Sequence, residues 1–243
     1  MAGLIANITH VASTISPIFF EVTDMSNIHD NTARNNGSIT LYHAPQTRGT
    51  GVLVLLEELG VPYEMKVLNF KAGENQQPEF LAINPLGKFP TLVHNDTIVT
   101  EQVACYLYLA DLFPEKGLAP ALNDSKRGAY LRWMAYQGSS FEPALIDKAF
   151  NRSPVEASQL SYGSFDKMLK TVFDQIAKGP YLLGEQLYAV DILWGMSLKW
   201  CRTFGLITTN PVVDAYIERI TSRPAFVKAE QQDQALLLDQ EIK

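Results

Sequence analysis

The chain has 243 residues, 47% of them apolar and 19% charged, and 20 Lys and Arg against 26 Asp and Glu give a formal net charge of −6. That length sets an expectation of one or two domains with a substantial core, and the acidic balance leaves no chain-wide basic footprint for nucleic acid. No apolar run approaches the roughly 18 residues of a membrane span, and the four histidines (His10, His29, His43, His94) are too scattered for a zinc site of known spacing. Cys105 and Cys201 stand far apart with no Cys-x-x-Cys pair, which fits a reducing, cytoplasmic setting better than a disulfide scaffold.

In chain order, residues 1–37 read as a disordered or irregular extension. Its apolar part has no basic residue ahead of it, unlike a secretory signal. Asp24–Gly37 is polar and without period, which makes Met25 a candidate start of the native protein. Ile39–His43 is a short apolar run ended by Ala44-Pro45, a strand. Val52, Leu55, Leu56 and Leu59 recur at helical spacing and Gly60 stands where a C-cap glycine belongs. Tyr63–Leu68 alternates as a second strand, so the unit has the size of a βαβ with parallel strands. Asn69–Glu79 reads as a polar loop. Phe89–His94 and Thr97–Val99 are strands around an Asn95-Asp96 turn, and Glu101–Leu112 returns to helical spacing.

Phe113–Pro120 has the prolines and glycine of a linker. Beyond it the pattern predicts helices over Asp124–Phe150, Pro154–Lys178, Ala189–Gly205, Pro211–Thr221 and Pro224–Leu238, several opened by proline. Ile192–Trp200 is apolar almost all round, the mark of a helix at the centre of its domain. The expected class is therefore α/β plus all-α, with domains at 38–113 and 122–243 joined by a linker at 114–121.

Four segments in this order resemble the glutathione transferase superfamily: Leu41–Gly60 from strand into helix, Asn84-Pro-Leu-Gly-Lys-Phe-Pro-Thr-Leu92, Val99-Thr-Glu-Gln-Val-Ala104, and Leu183–Ile192. The resemblance spans Ile39 to about Phe226. It implies a thioredoxin-like N-terminal domain, an all-helical C-terminal domain, a homodimer, glutathione as co-substrate and no metal. In the second segment it implies a cis Phe89–Pro90 bond whose turned-out Phe89 backbone pairs with the cysteinyl part of glutathione, a geometry that X-Pro tolerates. In the third, Glu101 and Gln102 open a helix, with Glu101 implied at the γ-glutamyl ammonium and Gln102 with free N–H groups at its carboxylate. The family more often has Ser or Thr where Gln102 stands. Lys88 is a candidate for the glycine carboxylate. In the fourth, Asp191 is half of a capping box whose Ser/Thr place is taken by Tyr188; a bare cap of this kind contributes about 0.5–2 kcal/mol.

A transferase of this kind must present glutathione as a thiolate, since a free thiol with pKa near 8.5 is mostly protonated at pH 7. A hydroxyl donor and a helix N-terminus both favour the anion. Thr47 occupies the place of the Ser in bacterial and fungal relatives, so the expected donors rank Thr47, then Tyr42, then Thr50; each has an ordinary alternative as a helix cap or as strand packing. No Cys stands in this loop, which argues against classes that work through a protein mixed disulfide. The implied activity is conjugation of small apolar electrophiles, or peroxide reduction, without nucleic-acid or membrane partners. The alternative is a binding or regulatory protein that keeps the fold without the chemistry. Tyr130, Trp133, Met134, Gln137 and Phe141 form a stripe at helical spacing that is more often core than substrate wall.

Overall fold

Alternation along Ile39–His43 sends Ile39, Leu41 and His43 to one side of strand β1 and Thr40 and Tyr42 to the other. The computed structural model describes residues 37–152 and 155–242; the expectations for residues 1–36 lie outside them. β1 is followed by helix α1 (Gly49–Leu59), closed by Gly60 in the left-handed conformation (φ 63°) that the C-cap position demands. Strand β2 (Glu64–Val67) then pairs parallel to β1, with Tyr42 opposite Lys66. The stretch expected to be loop carries a 3-10 turn (Glu74–Gln76) and a one-turn helix α2 (Pro78–Leu81), opened by a proline at its first position. Strands β3 (Thr91–His94) and β4 (Thr97–Thr100) form the hairpin, and the sheet order is β2-β1-β3-β4 with β1 and β3 antiparallel. Helix α3 (Gln102–Leu112) completes the thioredoxin-like half.

Among the described residues the second half is helical, apart from an isolated bridge between Tyr181 and Gly184. The long helix expected over Asp124–Phe150 is three pieces: α4 (Arg127–Tyr136), a π-helical segment (Gln137–Phe141) and α5 (Glu142–Ala149). The next helix, α6 (Phe165–Ile176), begins well after Pro154, because Ser164 accepts the Lys167 N–H as its cap; a 3-10 turn (Ala157–Gln159) precedes it. Helices α7 (Ala189–Thr203), α8 (Pro211–Thr221) and α9 (Pro224–Ile242) follow.

One continuous apolar core runs through both halves, from Leu41, Leu55 and Leu92 through Trp133 to Leu193 and Ile220. Each fully buried aliphatic side chain there contributes about 1.5–3 kcal/mol. The stripe of Tyr130, Trp133, Met134 and Phe141 is part of it, with Phe141 edge-on to Trp194 at 4.8 Å. From residue 37 onward the chain is one compact unit. Helix α7 lies at the centre, and at Gly195 it approaches α8 so closely that a Cβ would stand 2.7 Å from the Ile220 Cβ. Gly195→Ala is therefore expected to cost about 1–3 kcal/mol through overpacking, read as a lower urea midpoint. A second, smaller cluster of Ala44, Phe80 and Phe89 covers the opposite face of the sheet, under α2.

Candidate functional site

The turn between β1 and α1 sets the position of Thr47. Its hydroxyl donates to the Ala44 carbonyl at 2.7 Å and accepts the Gly49 N–H at 3.2 Å, so it serves the start of α1 without a free donor of its own in this state. The same side chain borders a cavity of about 410 Å³ between the two halves. Gln102, the first residue of α3, reaches that cavity too, and its amide donates to the Arg48 carbonyl at 3.2 Å. Two helix N-termini, those of α1 and α3, thus open on one cleft, and their aligned dipoles favour an anion there.

The far wall is helical and mostly apolar: Leu145 and Ile146 from α5, Met196 and Trp200 from α7, and the exposed Phe204 at the rim. Ser197 and Glu142 are polar members of that wall, and Glu142 pairs with Arg48 across the cleft and accepts from the Gln137 amide at 3.2 Å. The π-helical segment puts Gln137 there, buried, where it also donates to Ser197 at 3.2 Å. The Glu142 hydrogen bond pushes the Arg48 pKa still higher, so the guanidinium stays charged. Cys201 borders the same cavity, but burial pushes its thiol up to about 12, which leaves it protonated and inert. Cys105 is held up to about 12 for the same reason.

The other expected site residues are distributed as follows. The Phe89–Pro90 peptide is cis. Phe89 stacks on Phe80 at 5.2 Å, and Asn84 pins the loop by donating to the Lys88 carbonyl and to Thr91, each at 2.9 Å. Lys88 itself is exposed. Glu101 is not in the first turn of α3, as the spacing had implied: it precedes the helix in a left-handed conformation (φ 66°), exposed, its carboxylate without a hydrogen-bond or ion-pair partner among the described residues. A Cβ-bearing residue in that region costs about 1–2 kcal/mol. Tyr42 points to the other face of the sheet, its ring 5.6 Å from Phe80 and beneath Lys66, and does not border the cavity. Thr50 is buried with its hydroxyl donated to Asp233 at 2.8 Å. The structure therefore brings Thr47 and Gln102 to one cleft, which neither Tyr42 nor Thr50 borders.

Sequence reasoning missed Glu142 and Asp233. Glu142 carries no local signal. Asp233 does, since it continues the buried stripe Phe226, Ala229 at i, i+3 and i+7, where an acid is out of pattern.

Comparison with known proteins fits this geometry. Residues 37–111 match the family model of the glutathione S-transferase N-terminal domain. The disulfide-bond oxidoreductase YfcG of Escherichia coli is 30% identical over 208 residues, covering 77% of this chain and 92% of that protein. Glutathione S-transferase 3 of Zea mays is 28% identical over 73% of this chain and 86% of its own length. Among solved structures, a sphingomonad glutathione S-transferase complexed with glutathione superposes with a TM-score of 0.67 at 27% identity, over 80% of this chain and 98% of that one. The thioredoxin-like half, the helical half and these relatives place the chain in one family: it belongs to the glutathione transferase superfamily.

Proposed function

We propose that this protein is a glutathione transferase that joins the glutathione sulfur to small apolar electrophiles. The observation that carries the reading is the single cleft in which Thr47 and the mouths of α1 and α3 face an apolar wall of α5 and α7. Glutathione loses its thiol proton to solvent, and the thiolate is held by the Thr47 hydroxyl, turned from Ala44, and by the α1 N-terminus. It attacks the electrophilic carbon, a C–S bond forms, and the leaving group departs with the electron pair of its own bond. Glu101 takes the γ-glutamyl ammonium, Gln102 with the α3 amides takes the adjoining carboxylate, the Phe89 backbone pairs with the cysteinyl unit, and Lys88 meets the glycine carboxylate. The electrophile lies against Leu145, Met196 and Trp200. A homodimer in the cytoplasm is the setting we assign to it; no helix of the described residues is long and apolar enough to cross a membrane.

Retention on immobilised glutathione, followed by conjugation of a chlorodinitrobenzene-type substrate, tests the reading. A folded protein that fails both is instead a binding member of the family. The strained Glu101 gives a sharper check. Glu101→Gly is expected to weaken glutathione binding roughly tenfold by removing a charge-assisted contact. Because glycine adopts φ 66° without penalty, the melting temperature should hold or rise. Titration calorimetry and a thermal melt read the two effects separately.

A second reading, glutathione-dependent disulfide reduction, is favoured by the activity named for the Escherichia coli relative. With Cys105 and Cys201 buried as thiols, it would run on glutathione sulfur alone. One thiolate attacks the disulfide and releases a substrate thiolate, and a second glutathione resolves the mixed disulfide to oxidised glutathione. Turnover of hydroxyethyl disulfide without conjugation activity would select it.

A further inference from the structure

The terminal helix α9 reaches back to the turn that carries Thr47. Asp233, 7% exposed, accepts three hydrogen bonds from that turn and its flanks: from His43 Nε2 and from the Thr50 hydroxyl on Oδ1, both at 2.8 Å, and from the Gln46 N–H on Oδ2 at 3.1 Å. One carboxylate therefore ties together the end of β1, the turn and the first turn of α1. Two features of the turn need such a hold. Gln46 sits at φ 57°, a region a Cβ-bearing residue occupies only where its surroundings enforce it. Arg48, at the N-cap of α1, offers no side-chain cap.

His43 transmits the constraint. It is fully buried, and with Nε2 donating to the carboxylate its Nδ1 has no hydrogen-bond partner among the described residues. That nitrogen faces Gly49: a Cβ built there would stand 2.7 Å from His43 Nδ1 and 3.1 Å from Thr47 Oγ1. The ring thus braces the α1 mouth within one small group of the Thr47 hydroxyl. α9 has other ties to the thioredoxin-like half: Arg223 just before it pairs with Glu58, Lys228 pairs with Glu57 at 2.6 Å, and the Gln240 amide donates to the Leu68 carbonyl at 3.2 Å.

We propose that Asp233 is a positioning residue for the glutathione sulfur, holding Gln46 in its left-handed turn so that Thr47 and the α1 mouth face the cleft. The inference rests on the reading of that cleft as the thiolate site. Asp233→Asn tests it: the amide oxygen still accepts from His43 and Thr50, while its NH2 opposes the Gln46 N–H. Conjugation kinetics with glutathione and a chlorodinitrobenzene-type substrate are expected to lose roughly tenfold or more in kcat/KM, as misplacement of a reacting group does. The apparent thiol pKa in the kcat/KM–pH profile should rise, because the sulfur leaves its donors; deleting a negative charge without moving the turn would lower it.

Adding Gln46→Gly to D233N should restore most of the loss, since glycine needs no outside hold at φ 57°. Arg223→Ala, which breaks the Glu58 tie just ahead of α9, should lower the melting temperature and leave kcat/KM unchanged. Asp233→Ala gives the stronger perturbation, and D233N decides the matter if the alanine variant does not fold. An active wild type with an unaltered D233N, a fall in the thiol pKa, or a Q46G/D233N no better than D233N overturns the proposal alone. A wild type that neither binds glutathione nor turns over overturns the functional reading and this inference with it.

Discussion

Asp191→Ala is expected to destabilise the fold by about 3–5 kcal/mol, well beyond the 0.5–2 kcal/mol of an ordinary helix cap. The carboxylate is fully buried and accepts from the Leu182 N–H at 2.7 Å, the Tyr216 hydroxyl at 2.9 Å and the Tyr188 N–H at 2.9 Å. Its removal strands three buried donors, each of which costs about 1–3 kcal/mol when left unpaired. The Tyr188 hydroxyl does not complete the capping box; it donates to Gln186 at 3.2 Å. Asp191 thus fixes the loop before α7, the start of α7 and helix α8 to one another.

The effect carries a pH signature. Burial raises the Asp191 pKa from 3.8 to about 6, against the lowering pull of its hydrogen bonds. A raised folded-state value means that the unfolded chain releases this proton first as pH rises. The stability Asp191 confers is therefore greatest below about 4, declines through about 6 and is flat above. Urea midpoints of wild type and D191A should differ more at pH 4 than at pH 7; a gap that widens toward pH 7 would contradict the assignment.

The largest catalytic effect is expected at Thr47. Thr47→Val keeps the shape and removes the hydroxyl, and loss of a charge-assisted donor to the thiolate should lower kcat/KM about 10- to 100-fold. Some stability should go as well, since the hydroxyl also accepts the Gly49 N–H. Thr47→Ser should retain activity. Tyr42→Phe should change little, because that ring packs against Phe80 on the far face of the sheet. Steady-state kinetics with the ultraviolet thiolate band of bound glutathione decide between them. A T47V within twofold of wild type beside a Y42F that abolishes turnover would reverse the ranking of donors.

Much of the element order was readable from the chain because its signals are local. Alternation marked Ile39–His43, spacing marked Val52–Leu59, and Gly60 marked the end of α1. The errors have physical causes of the same scale. A π-helical insertion keeps apolar residues near helical spacing, so Gln137–Phe141 was hidden inside one long run. Pro154 suited a first-turn position, but the stronger cap at Ser164 opens α6. Glu101 looked like a first-turn acid, yet its carbonyl begins α3 from a left-handed residue outside it. Of the cleft residues, Thr47 and Gln102 were marked by the family resemblance of their segments, as was the cis Phe89-Pro90 bond outside it.

The amino-acid order by itself determined which segments become strands and helices, since capping, turn chemistry and side-chain period act within a few positions, and its resemblance to the family marked the motif residues. Only the packed structure decided which of those residues share a cleft. Arg48 meets Glu142, and Asp233 meets His43, Gln46 and Thr50, through a core common to both halves. Such meetings depend on how two remote helices are seated against the sheet, and no periodicity within either helix encodes its distance from the other.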